Sequence, residues 1–334
     1  MTAPISTATG AAHTRIYSIA GYRPSRVVTN AEICEHIGSS DEWIRTRSGI
    51  IERRFALPHE TVQMMSVEAG REALAQADLS PAQLDCVVVA TVSHLLQTPA
   101  VATLVADELG ATPAAAFDLS AACAGFCHGV GLASDMVRTG TAKYVLVIGV
   151  ERLSVITDPT DRGTAFIFSD GAGAAVIGPA DVEGIGPMVW GSDGSKGDFI
   201  RQIQPWDDAL EAQRPELPTL RVEGNPVFRW ASYEMAKVAR EAIDRAGMTV
   251  DDIDVFVPHQ ANMRITDAMA KALKLPEHVV IARDIAYQGN TSAASVPLAA
   301  WALLESGEAK SGQTALLIGF GAGLAYAAQV VTLP

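Results

Sequence analysis

The stretch REALAQADLSPAQLDCVVVA, residues 71–90, returns half a chain later as REAIDRAGMTVDDIDVFVPH, residues 240–259. Arg71, Glu72, Ala73, Ala77 and Asp85 meet Arg240, Glu241, Ala242, Ala246 and Asp254, and each stretch runs from a helical pattern through a turn into an apolar strand. A second pair, GTAKYVLVIGV (140–150) and GEAKSGQTALLIGF (307–320), lies at nearly the same displacement. One such match arises by chance, but two at one displacement indicate a duplication. Around these anchors both halves alternate helical stretches with short runs such as CVVVATV, YVLVIGV and ALLIGF, so continuously apolar that the strands must be covered on both faces. The expected architecture is two similar α/β halves, 13–180 and 181–334, each a mixed sheet covered by helices. A flexible terminus is expected at 1–12 and an irregular excursion at 191–222.

The chain has 334 residues, 49% hydrophobic and 19% charged, enough for two such halves around a substantial core. No apolar run reaches the ~18 residues of a membrane span, and the opening MTAPISTATGAAHTRIYS has no export pattern, so a cytoplasmic protein is expected. A formal charge of −13 disfavours nucleic acid and anionic membranes as partners. Four scattered cysteines, Cys34, Cys86, Cys123 and Cys127, do not make a disulfide framework.

In AAAFDLSAACAGFCHGV a strand runs into a helix from about Ala122, with Gly140 as its stop. Cys123 then falls in the first helical turn, where unpaired N–H groups and the helix dipole favour a thiolate, and its small neighbours let a carbonyl approach. Taken alone, it reads more readily as a small core residue. Cys127, a turn later, reads as packing. No metal site is expected, because His128 lies on another helical face and no further cluster completes a tetrahedral set. In the second half DVFVPHQANMRI delivers His259 at the end of a buried strand, and YQGNTSAAS places Asn290 in a turn before another helix. Each has a bland alternative, a structural histidine or a helix cap.

FDLSAACAGF, VPHQANMRI, YQGNTSAAS and GFGAGL, in that order and at those intervals, closely resemble the four active-site segments of the β-ketoacyl-[acyl carrier protein] synthase III family. SSDEWIRTRSGI (39–50), TDPTDRGTAFIFSDGAGAAVIG (157–178) and VEGNPVFRW (222–230) extend the resemblance over nearly the whole chain. It implies a thiolase-like fold of duplicated βαβαβαββ halves in five α/β/α/β/α layers, and a homodimer. It further implies a Cys123, His259 and Asn290 triad, with the backbone N–H groups of Cys123 and Ala322 as the oxyanion hole.

The implied reaction is a decarboxylative condensation of an acyl-CoA starter with malonyl-[acyl carrier protein] through an acyl-cysteine, initiating type II fatty acid synthesis, with acyl-CoA a substrate and no cofactor. Asn has no useful proton chemistry, which suits stabilisation of an enolate. The resemblance assigns CoA contacts to Trp43, Arg47 and Arg162, pantetheine contacts to Gly224, Asn225 and Asn262, and the tunnel end to Thr98, where a small residue suggests a starter larger than acetyl. Arg264, Lys271 and Lys274, at i, i+7 and i+10 on one helix face, with Arg229, form the expected carrier-protein patch. SAACAGFCH equally resembles priming ketosynthases of polyketide pathways. A non-catalytic partner of the same fold would lack the cysteine. A cysteine hydrolase would use His259 as a base and need no malonyl thioester.

Overall fold

The computed structural model describes residues 5–6, 8–211 and 217–334. In the first half the order is strand His13–Tyr22, helix Val62–Gln76, strand Cys86–Ala90, helix Val101–Leu109, strand Ala115–Leu119, helix Gly125–Thr139, and strands Val145–Arg152 and Asp170–Ala180. The second half repeats it with strand Val189–Ser192, helix Gly224–Arg245, strand Val255–Pro258, helix Met263–Leu273, strand Val280–Ile281, helix Ser295–Ser306, and strands Thr314–Gly321 and Ala325–Thr332. The duplicated stretches thus occupy equivalent places.

The two five-stranded sheets correspond strand for strand. Cys86–Ala90 pairs in parallel with Ala115–Leu119 and Val145–Arg152, as Val255–Pro258 does with Val280–Ile281 and Thr314–Gly321. In each sheet the last two strands of the half pair antiparallel, and the first strand closes the edge antiparallel. Helices Gly125–Thr139 and Ser295–Ser306 lie between the sheets and touch both, while Val62–Gln76 and Val101–Leu109 cover one outer face and Gly224–Arg245 and Met263–Leu273 the other. Three apolar clusters fill the gaps: Phe126, Cys127, Val296 and Leu317 in the middle, Met65 and Ile148 outside the first sheet, and Met235 and Phe256 outside the second. Burial of each such side chain stabilises the fold by roughly 1.5–3 kcal/mol.

Two expectations need revision. The excursion at 191–222 contains structure: Ile200–Gln202 pairs antiparallel with Leu220–Val222, and Trp206–Glu211 is helical, while residues 212–216 lie outside the described ones. Of the terminus at 1–12, residues 1–4 and 7 also lie outside them, whereas Ala11 N–H bonds Val137 O at 3.1 Å and Gly10 packs against the same helix end. A Cβ on Gly10 would stand 2.2 Å from Val137 O. Among the described residues, no helix is long and apolar enough to cross a membrane.

Candidate active site

The helix expected from Ala122 starts later. Ala122–Ala124 is a 3₁₀ turn and the α-helix begins at Gly125, ending at Gly140 with φ 75°. Ala122 has φ 44°, a left-handed conformation that a non-glycine residue holds at a cost of ~1–3 kcal/mol. The turn presents Cys123 to a cavity of about 460 Å³ that is also lined by His259, Asn290, Phe320 and Gly321. Gly321 packs directly on the sulfur: a Cβ there would lie 2.8 Å from Cys123 Cβ and Sγ.

Burial opposes the thiolate that the helix start favours. It pushes the Cys123 thiol up to about 12, against the neighbouring Ser292 hydroxyl, which favours the thiolate, and with the nearby Glu151 charge adding to the rise. Loss of hydration disfavours the charged form of the sulfur. The resting nucleophile is therefore a thiol, and acylation requires its proton to move.

His259 follows the buried strand Val255–Pro258 and is itself 2% exposed. Its Nδ1 lies 2.6 Å from Ser295 Oγ, and Phe320 packs edge-on at 5.3 Å between ring centroids. Burial pushes its pKa down to about 3, so the ring is neutral near pH 7. Asn290 is held by its backbone, whose N–H bonds Ile167 O at 2.9 Å and whose O accepts from Ser169 N–H at 2.9 Å. Its side-chain Oδ1 accepts from Ser292 N–H at 2.8 Å. Because a backbone N–H can only donate, this contact fixes which end of the amide is oxygen and leaves Nδ2 as the donor.

At the mouth of the cavity, Trp43 lies beneath two guanidinium groups, Arg47 at 4.6 Å and Arg162 at 4.8 Å from the ring, with Phe166 edge-on at 5.1 Å. Gly224, Asn225, Asn262 and Arg264 complete this rim. Asn262 has a structural task there. Its Oδ1 caps helix Met263–Leu273 by accepting from Arg264 N–H at 3.0 Å, and its Nδ2 donates to Arg47 O at 2.9 Å, tying the two sides of the mouth together.

Two expected positions lie elsewhere. Thr98 is exposed on the loop that also exposes Leu95 and Leu96, outside the cavity of its own chain, because the segment after strand Cys86–Ala90 runs out to the surface. Ala322 lines a neighbouring cleft with Ala121, Ala122, His128 and Trp190, and it is Gly321 that abuts Cys123. Strand Thr314–Gly321 ends at that contact, so the chain has already turned away by Ala322. Arg264, Lys271, Lys274 and Arg229 are all exposed, with Arg264 stacked on Phe228 at 5.1 Å. Cys127 is fully buried in the central core. No metal-binding cluster occurs among the described residues. Sequence reasoning missed Ser292, Ser295, Gly321 and Glu151. Ser292 and Ser295 were visible as the hydroxyls following Asn290, but nothing local marks their partners.

Comparison with known proteins agrees with this architecture. Residues 117–194 match the 3-oxoacyl-[acyl-carrier-protein] synthase III family and 243–333 match its C-terminal part. The chain is 58% identical over 330 residues to the β-ketoacyl-[acyl-carrier-protein] synthase III of Streptomyces glaucescens, covering 99% of each chain. The solved priming β-ketosynthase of the R1128 polyketide biosynthetic pathway superimposes with a TM-score of 0.97 at 48% identity, covering 99% of both chains. The 3-oxoacyl-[acyl-carrier-protein] synthase III of Aquifex aeolicus gives a TM-score of 0.89 at 36% identity, over 96% of this chain and 99% of that one. A thiolase-like duplication at this identity, unbroken from end to end, assigns the chain to the β-ketoacyl-[acyl-carrier-protein] synthase III family, acyltransferases whose condensation initiates fatty acid synthesis.

Proposed function

We propose that Cys123 takes an acyl group from an acyl-CoA and that malonyl-[acyl carrier protein] then condenses with the acyl-cysteine under the influence of His259 and Asn290. The observation that carries this reading is the convergence of a thiol, a neutral imidazole and an oriented amide in one cavity whose mouth stacks Trp43 with Arg47 and Arg162. Splitting the reaction at an acyl-cysteine replaces one hard step with two easier ones. Loss of CO₂ from the malonyl group leaves an enolate, to which Asn290 Nδ2 donates. Gln260 N–H contacts Ser295 Oγ at 3.3 Å, and with the Ser295 hydroxyl hydrogen directed at Nδ1 the His259 proton sits on Nε2, a second donor. Two donors to developing negative charge fit enolate stabilisation better than the hydrolase reading, which needs His259 as a base.

The indole and two guanidiniums suit the adenine and phosphates of CoA. The exposed Arg264, Lys271, Lys274 and Arg229 suit an acidic carrier protein meeting a chain of net charge −13. Thr98 lies outside its own cavity, so any role in starter choice requires a second copy presenting that loop. This favours the homodimer, as do exposed Leu95, Leu96 and Trp190. Priming of a polyketide pathway with a non-acetyl starter remains the second reading, favoured by the fit to the R1128 ketosynthase. Incubation with a panel of acyl-CoAs, followed by intact mass, tests both. A stable adduct lost in Cys123→Ala and chased only by malonyl-carrier supports the mechanism, and the starter that reacts fastest selects the pathway. An adduct that hydrolyses without malonyl-carrier refutes it.

A further inference from the structure

Glu151 is a fully buried carboxylate one side chain away from the nucleophile, and the reaction described so far gives it no task. Its Oε2 accepts from Ser93 Oγ at 2.5 Å, Val92 N–H at 3.2 Å and Thr91 Oγ1 at 3.3 Å, and its Oε1 from Ser292 Oγ at 3.1 Å. It forms no ion pair among the described residues. The titratable groups of the elements around it are Arg152 on its own strand, Asp170 opposite Arg152, Cys86 and His94 on and after the neighbouring strand, Cys123 with Cys127, His128, Asp135 and Arg138 on the helix that follows it, and Glu68, Arg71 and Glu72 on helix Val62–Gln76. A carboxyl so placed, held by hydroxyls and one N–H, is lifted by burial to about 7 and can exchange a proton near neutral pH. The turn Ser292–Ala294 packs against the turn that carries Cys123, with the Ser292 hydroxyl acting on the acidity of the thiol, and Ser292 holds φ 48°, a strained conformation for a serine.

We propose that Ser292 and Glu151 form a proton relay for the Cys123 thiol, taking up its proton as the sulfur attacks an acyl thioester. The Cys123 S–H proton passes to Ser292 Oγ while the Ser292 hydroxyl hydrogen passes to Glu151 Oε1. The sulfur electron pair forms the new C–S bond, and the bond from the carbonyl carbon to the CoA sulfur breaks. The departing CoA thiolate takes the proton back along the same path, restoring the carboxylate, so the step is balanced without another reactant. Glu151 and Ser292 are then positioning and proton-carrying residues for acylation, distinct from the donors His259 and Asn290 that serve condensation.

This inference rests on the acyl-cysteine reading, which the wild-type adduct tests by itself. The experiment is single-turnover acylation by intact mass across pH 5–9, on the full chain, for wild type, Glu151→Gln, Glu151→Asp and Ser292→Ala. Wild-type acylation is expected to rise with an inflection near pH 7. Glu151→Gln keeps the hydrogen bond but cannot take a proton, so it should lose that inflection and acylate ~10²-fold more slowly above it. Glu151→Asp should restore the inflection. Ser292→Ala should also lose it, and the double variant should be no slower than either single one. Overturning results are a wild-type rate without this inflection, a Glu151→Gln profile that keeps it, or a uniform slowing with unchanged shape, which marks a structural role. If Glu151→Gln fails to fold, the Ser292→Ala profile alone decides.

Discussion

Gly321→Ala probes the close approach between the two halves. Gly321 has φ −177°, outside the left-handed region, so the change is judged on the contact its side chain makes. Its new methyl would stand 2.8 Å from Cys123 Cβ and Sγ and 3.2 Å from Cys123 N. Unstrained heavy-atom contacts of this kind lie at about 3.5–4.0 Å, so the pair must separate by about 1 Å. The nucleophile has little room to retreat, because Gly319 on the same strand already sits against Ala124 Cα and Cys123 O, each 2.9 Å from where its own Cβ would be. A displacement of about 1 Å at a reacting atom costs ~10²-fold in rate, or about 2.7 kcal/mol of barrier. The assay is single-turnover acylation of Cys123 by mass, with thermal unfolding measured beside it. Gly197→Ala, where no atom lies within 4 Å of the new methyl, serves as the control. Wild-type acylation by a folded Gly321→Ala protein would refute the reasoning.

Asn290→Ala should form the acyl adduct at near the wild-type rate yet lose ~10²–10³-fold in its chase by malonyl-carrier, since only the enolate step loses a donor; equal losses in both steps would count against it. Trp43→Ala should raise KM for acyl-CoA up to ~10-fold with kcat preserved, as expected for binding common to ground and transition states, in steady-state kinetics. Unfolding by urea across pH should report the buried acids. Glu151, lifted from 4.5 to about 7, keeps its proton in the folded chain, so its stabilisation is full below about pH 4.5 and lost as pH rises to about 7. Asp284, lifted from 3.8 to about 6, acts in the same sense, while His259, pushed from 6.5 to about 3, opposes them because the unfolded chain binds its proton first as pH falls. The wild-type minus Glu151→Gln difference cancels the other two, and should move against wild type by about 3 kcal/mol between pH 4.5 and 7.

The parts of the molecule legible in the sequence are those written in local pattern. The repeated helix, turn and strand at 71–90 and 240–259 gave the two-half architecture, since burial on both faces forces continuously apolar strands. Local pattern left Cys123, His259 and Asn290 each with a bland alternative; the order of four motif segments singled them out, and the structure brings all three to one cavity. The Ser292 bond to Glu151 was not legible, because it spans 141 residues and depends on a turn of one half meeting a strand of the other. Thr98 and Ala322 fall outside the cavity of their own chain, since a motif match fixes order along the chain and says nothing of where a loop leaves the sheet. The thiol was read as acidic from its helix position alone, whereas burial in the cavity, which depends on both halves, acts in the opposite direction.

Duplication also accounts for how the site comes to be asymmetric. The two central helices start alike: Ala122–Ala124 and Ser292–Ala294 are both 3₁₀ turns, with φ 44° at Ala122 and 48° at Ser292. Each turn crosses onto the other half, where a glycine admits it. Gly319 receives Ala124, and Gly149 receives Ala293, whose O would lie 2.2 Å from a Cβ on Gly149. The turns also touch one another, so two equivalent strained platforms face across the middle of the molecule. Cysteine stands at the second position of one turn and alanine at the second position of the other, which removes a competing thiol. The first position carries Ala122 on one side and Ser292 on the other, so only one platform sends a hydroxyl toward its twin. A pseudo-symmetric fold thereby supplies close approach from both sides, and the few residues that break the symmetry place a sulfur on one half and the hydroxyl, imidazole and amide groups around it on the other.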